Sequence, residues 1–435
     1  MTAPLFPYLQ GNHKRTQIMR KDAANILKRF LLCERALIIN QAAWLPAIAP
    51  IEVKLALPHM MWQDSLATQA LRQRVLELQY PNQTIEAQED TPLIEVFEET
   101  LHAPSPEAFV LSMARVFKPA LLQAYQQYVS ATDYLADAPT VRLLKQAMVE
   151  KREQVQQLTR HAGRMLVTNP TRRTEAETWV TELNRRLITV GGLSLNEPIS
   201  STGWLRHSKR HTFTLSQTPA RDEQFCLCRY HWPGQISPDF NGTDSLHQQL
   251  RSAINQFNQM WAVEIGGTVL YLFANQLGWE FIFNLSRITF DKSRHCWIGY
   301  ERLNDWGFKP AEIPLSNYIN HALKEKDPIY KLGMLCHSKS QHSKNTALTN
   351  NRRSRHNIEF IEADEAPNFD FCHHWLQILH TAQPDATPKP ATVKSYCDTL
   401  IKNALESATE TDRQTINQII SGLVTKAKIS VGQPV

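Results

Sequence analysis

Glycine is scarce in this chain, at 15 of 435 residues. Folds built on hairpins and tight turns rely on glycine for left-handed backbone positions. Its scarcity, with Gln-, Leu- and Ala-rich stretches throughout, makes all-α the expected fold class. Long apolar runs are also lacking. The longest uncharged stretch, Ala36 to Ile51, spans 16 residues and is interrupted by Asn40, Gln41, Pro46 and Pro50. That is too short and too broken to cross a bilayer, so no membrane association is expected. Cysteine is present seven times, an odd number spread widely, which fits reduced thiols in a cytoplasmic protein better than a disulfide framework. The one close pair, Cys226-Leu-Cys228, lacks zinc-site spacing and reads as strand-like packing. The N-terminus, Met1-Thr-Ala-Pro-Leu-Phe-Pro, has no basic region followed by an apolar run, so no signal peptide is expected. A Gly-rich phosphate loop and a Ser or Cys nucleophile elbow are missing too, which removes two common routes to catalysis.

Charge gives little direction. A net charge of +5 is mild for this length and does not call for a polyanionic partner. The balance is sharper locally: no acidic residue stands between Asp327 and Glu359, while Lys331, Lys339, Lys344, Arg352, Arg353 and Arg355 do. The segment 328–358 reads first as a solvated basic loop and helix end. An anion or nucleic-acid contact is the alternative, with no known nucleic-acid module behind it.

From Arg15 to Arg185 apolar residues recur every three or four positions, enough for four to six helices. Pro58 should kink or interrupt the second of them, and Ala138-Pro139-Thr140 marks a helix entrance. Residues 195–244 alternate like short extended segments, as in His211-Thr-Phe-Thr-Leu-Ser and Phe225-Cys-Leu-Cys-Arg-Tyr-His-Trp, and read as a connector. Helical patterning resumes over 245–383, with helices expected at Leu246 to Ala274, Trp279 to Leu303 and Arg355 to His380. A Pro-rich linker and C-terminal helices, broken near Thr409 to Thr411, fill 384–435.

Glu264 stands alone among apolar residues in Trp261-Ala-Val-Glu-Ile-Gly-Gly-Thr-Val-Leu. A buried carboxylate there needs a partner or a metal, since an unpaired one costs several kcal/mol. His295 and Glu365 are the next candidates. A carboxylate-bridged di-iron bundle uses Glu-x-x-His on two helices, because a spacing of three puts both side chains on one face. Here the pairs are half complete, with Lys292 before His295 and Asn368 after Glu365. The adjacent His373 and His374 point to different helix faces, so one should pack and one be solvated.

Trp279-Glu-Phe-Ile-Phe-Asn-Leu-Ser-Arg-Ile-Thr-Phe-Asp-Lys-Ser-Arg-His with Tyr300-Glu-Arg-Leu, and Glu362-Ala-Asp-Glu-Ala-Pro-Asn-Phe-Asp-Phe with His374-Trp375, resemble the helices of two-domain bacterial ferritin-like proteins of the non-haem di-iron kind. Cys33-Glu-Arg-Ala, Glu52-Val-Lys-Leu, Trp62-Gln-Asp, Ala70-Leu-Arg-Gln-Arg and Leu135-Ala-Asp-Ala-Pro-Thr-Val-Arg-Leu-Leu resemble the companion domain. The resemblance implies two ferritin-like bundles, over 1–194 and 245–383, joined by the connector 195–244. It also implies metal ligands Glu264, His295 and Glu365 in the second bundle, with Glu34, Glu52 and Asp64 left in the first, where Ala67 replaces a ligand. Three of the six ligand positions in the second bundle are lost, one of them to Lys292, whose ammonium is expected to pair with Glu264 or Glu365 in place of a metal. The expected function is a structural or regulatory subunit without a cofactor, working beside a protein partner or a second copy. The alternative is an iron (Fe2+) dependent oxidase or oxygenase acting on a small molecule through Glu264, His295 and Glu365, with His337 or His342 completing the site.

Overall fold

A computed structural model describes residues 17–82, 84–198, 213–238, 240, 244–336 and 351–430. The fold is all-α, with one two-stranded sheet among the described residues. Contacts divide the chain into two compact units. The first comprises 1–41 and 60–214, and the second comprises 42–59 and 215–435. The division falls inside the first two helices, so each of these contributes residues to both units.

The helices of the N-terminal part are α1 (Arg20–Trp44), α2 (Ile51–Gln79), α3 (Thr91–Glu98), α4 (Pro106–Ser112), α5 (Lys118–Ala131), α6 (Ala138–Thr168) and α7 (Arg173–Thr189). Pro139 sits in the first turn of α6, where its missing N–H has no bond to lose. Of the two effects expected of Pro58, an interruption does not occur: α2 continues on both sides of it. The buried face of α6 carries Val141, Leu144, Ala147, Lys151, Gln154, Leu158 and Ala162, a three-and-four repeat that admits two polar residues to the interior. Between α4 and α5 the chain forms a π-turn, Met113–Phe117. Lys118, the first residue of α5, is fully buried, on the same face as Leu121, Tyr125 and Tyr128. Phe30, Tyr125, Phe97 and Phe117 fill the core, with ring centroids 5.1 Å apart in the first pair and 4.8 Å in the second.

The second unit adds strand β1 (Cys226–Cys228), α8 (Ser245–Phe257), α9 (Met260–Asp305), strand β2 (Pro314–Ser316), α10 (Tyr318–Ala322), α11 (Pro328–Leu335), α12 (Arg352–Ala382), α13 (Pro390–Glu406) and α14 (Glu410–Ser430). The strand-like reading of Cys226 to Cys228 holds: β1 pairs in parallel with β2, Leu227 opposite Leu315. Where one helix was expected from Leu246 to Ala274 there are two. Asn258 divides α8 from α9, its side chain donating to Pro314 O at 2.9 Å and accepting from Ser316 N at 2.8 Å. Serving the strand costs the helix its continuity. Gly278, at φ +77°, breaks α9 at the boundary expected before Trp279. α9 packs on α8, α11 and α12, and α11 also packs on α13. The approach of α9 to α8 is backbone-close at Gly299, where a methyl group would strike Phe257 N and Ala253 O.

His337, His342 and the middle of the basic segment lie outside the described residues, as do residues 199–212 of the expected connector. Among the described residues no helix is long and apolar enough to cross a membrane.

Candidate functional site

In unit 1, α1, α2, α5 and α6 each contribute one charged side chain to a buried cluster, Glu34, Asp64, Lys118 and Lys151, all at most 1% exposed. Asp64 is the hub. Its Oδ1 accepts from Lys151 Nζ at 2.5 Å and from Gln154 Nε2 at 3.0 Å. Its Oδ2 accepts from Lys118 Nζ and, at 3.2 Å, from Gln41 Nε2. Lys151 also pairs with Glu34 Oε1 at 2.6 Å, and Tyr125 donates its hydroxyl to the same oxygen at 2.7 Å. Two carboxylates and two ammonium groups leave the cluster neutral, the condition for burying charge at tolerable cost.

The electrostatics reflect the partners. Burial alone would raise the Asp64 carboxyl, but Lys118 and Lys151 more than reverse it and hold it below the usual carboxylate range. Burial lowers Lys118, whose ammonium pairs with Asp64, to about 8. Lys151 suffers the same burial, yet it bridges Asp64 and Glu34 and is held above its ordinary value.

In unit 2 the sequence candidates separate into two clusters. Glu264, on α9, is 1% exposed. Its Oε1 accepts from Lys54 Nζ at 2.6 Å and from the Arg221 guanidinium, and its Oε2 from Asn320 Nδ2 at 3.0 Å. Lys54 also donates to Ala220 O at 2.7 Å. Burial pushes the Glu264 carboxyl up, and Arg221 and Lys54 together bring it below its ordinary value. Burial also lowers Lys54 to about 8.

His295 and Glu365 do come together, between α9 and α12, with Lys292 as the third member. Lys292 Nζ pairs with Glu365 Oε1, and His295 Nδ1 lies 3.4 Å from the same oxygen. Of the two partners foreseen for Lys292, Glu365 is the one the fold supplies. Both ring nitrogens of His295 are engaged, Nδ1 with Gln259 Oε1 at 2.9 Å and Nε2 with Asp364 Oδ2 at 3.1 Å. Burial raises the Glu365 carboxyl, but Lys292 and then His295 override it and hold it low. Arg287 and Arg294 clamp Asp291 and Asp364 beside them. Asp291 is the exception among these acids: burial, with Asp364 adding to it, raises its carboxyl against the pull of Arg287.

A metal ion needs several free lone pairs directed at one point; Glu34 Oε2 is a buried oxygen without a hydrogen-bond partner, but one such oxygen does not make a site, and the other donors are engaged by protein groups. A carboxylate offers about four acceptor positions. On Asp64 four N–H donors occupy them. Glu264 is occupied by a lysine, an arginine and an amide, and His295 has no ring nitrogen to spare. Among the described residues no group of three or more His, Cys, Asp or Glu side chains could hold a metal ion. These residues do not fit a di-iron centre, because ammonium and guanidinium groups fill the cation positions.

The other candidates resolve simply. Glu52 is exposed in the first turn of α2. His373 and His374 are both exposed, instead of one packing inward: His373 lies on Phe369 and His374 against Trp375. The important residues that sequence reasoning missed are Lys54, Lys118 and Lys151. Lys151 had a signal, since it falls four after Ala147 and seven after Leu144 on the buried face of α6. No family model matches the chain, and no curated protein or solved structure matches it.

Proposed function

We propose that this protein is a non-catalytic helical scaffold, a structural or regulatory subunit with a ferritin-like ancestry whose metal ligands have given way to internal ion pairs. The saturation of Asp64 by Lys118, Lys151, Gln41 and Gln154 carries this reading. A side chain whose every acceptor position is filled by protein donors has none left for an ion, and displacing two buried ammonium groups would cost several kcal/mol each. The pairing of Lys292 with Glu365, and of Lys54 and Arg221 with Glu264, supports the same reading in unit 2. A scaffold of this kind works through a protein partner or a second copy of itself.

Elemental analysis of protein purified without a chelating tag, repeated after anaerobic Fe(II) loading, tests the proposal. We expect no iron retained through desalting under either condition. Near-stoichiometric iron that disappears in Glu264→Ala would sink it, in favour of an iron-dependent oxidase or oxygenase using Glu264, His295 and Glu365.

A further inference from the structure

Unit 2 contains a cleft of about 490 Å³ between the α10–α11 loop and the C-terminal end of α13. Such a volume is in the range of small-molecule sites. Arg229, His321, Lys324 and Lys326 bring positive or protonatable groups to its lining, against Glu325 as the one lining carboxylate. Glu325 lies 3.9 Å from Lys324 and is held in a left-handed turn at φ +60°. Strain of this kind in a non-glycine residue persists where surrounding structure enforces it, and is common where a loop presents side chains to a ligand.

Arg229, the residue after β1, is fixed before any ligand arrives. Its Nη2 donates to Ser407 Oγ at 2.6 Å and its Nη1 to Ser407 O at 3.3 Å, with Asp412 at 3.5 Å. A helix C-terminus would ordinarily repel an anion. Here several carbonyls at that end are engaged: Asn403 O by Ser407 N, Ala404 O by the Tyr230 hydroxyl, Leu405 O by Ala408 N and, just beyond the helix, Ser407 O by Arg229. Asn403 lines the cleft beside these engaged carbonyls, while Tyr318, Ala322 and Leu400 give it an apolar part.

The geometry points to a binding site for a small organic phosphate, with the phosphate among Arg229, His321 and Lys326 and the organic body against Tyr318, Ala322 and Leu400. The apolar lining and the volume distinguish an ester from inorganic phosphate, which needs neither. This site is independent of the ion-pair clusters, so it stands or falls separately from the scaffold reading.

Isothermal titration calorimetry at physiological ionic strength tests it with phenyl phosphate, inorganic phosphate and phenol as probes. Phenyl phosphate should bind at one site per chain, at least tenfold more tightly than inorganic phosphate, and phenol should not bind. Lys326→Glu, at a half-exposed loop position that does not endanger the fold, should weaken phenyl phosphate at least tenfold. Lys394→Glu, a remote exposed control on α13, should leave it unchanged. Absence of phenyl phosphate binding, or binding equal in Lys326→Glu and wild type, would overturn the site. Equal affinity for inorganic phosphate would overturn the organic ligand.

Discussion

Lys151→Met is the sharpest perturbation of the unit 1 cluster. Methionine retains much of the lysine stem, so the packing of α6 on its neighbours is nearly conserved and the change is mainly the loss of one ammonium. That loss removes the 2.5 Å contact to Asp64 and the 2.6 Å contact to Glu34 together. Two carboxylates then share the single charge of Lys118. Removing one partner of a buried pair costs about 3–5 kcal/mol. For a unit of roughly 200 residues, where 1 kcal/mol moves the melting temperature by about 2–4 °C, the unit 1 transition should fall by about 6–20 °C. Thermal and urea denaturation followed by circular dichroism would measure it. Adding Glu34→Gln should restore at least half of the loss, because the carboxylate stranded by the first change is then gone. A single variant within about 1 kcal/mol of wild type, or a double variant no better than the single, would refute the argument that charge compensation holds these helices together.

Asp64, Glu264 and Glu365 are each held below the ordinary carboxylate range, so they contribute stability above the unfolded-state values, near pH 4, that is lost as pH falls through the folded values. Urea midpoints should therefore drop steeply below about pH 4, and a flat profile there would contradict the pairing. Lys292→Met should cost about 3–5 kcal/mol and raise the acid limb of stability, since Glu365 loses the largest influence holding its carboxyl low; an unmoved acid limb would remove Lys292 as that influence. Gly299→Ala puts a methyl into the backbone of Phe257 and Ala253 and should destabilise by about 1–3 kcal/mol or more, which equilibrium unfolding of the variant would check.

The helical class was legible in the scarcity of glycine and in periodicity, because both report backbone preference directly. The partners of the buried acids were less so. Glu264 stood out as a charge in an apolar run, but Lys54 lies 210 residues away and Arg221 lies 43 away. No local pattern links such residues, and only the tertiary fold chooses between them. Lys292 was foreseen as a competitor for the metal because its spacing to His295 put it at a ligand position, and the fold pairs it with Glu365. Lys118 carried a signal as well: it falls three before Leu121 and seven before Tyr125 on the buried face of α5. Lys151 was on the buried face by spacing alone. A lysine at such a position is usually taken to extend its stem toward solvent, and here the two carboxylates hold it in.

Neutral clusters of this kind need not be the most stable filling for a helical core, since apolar residues of similar volume often do as well or better. What they supply is intolerance of error. Sliding any one of α1, α2, α5 or α6 by a turn would leave a charge without its partner, whereas an aliphatic core accepts several registers at similar cost. Replacing the cluster as a whole, with Glu34→Gln, Asp64→Leu, Lys118→Met and Lys151→Met together, should then leave the melting temperature near or above that of wild type. The native state should become less uniquely ordered, read as broadened amide resonances and increased binding of a hydrophobic dye. A quadruple variant as sharply ordered as wild type would show that the ion pairs are not what selects the register. In that case the aromatic packing of Phe30, Tyr125, Phe97 and Phe117 becomes the element to perturb next.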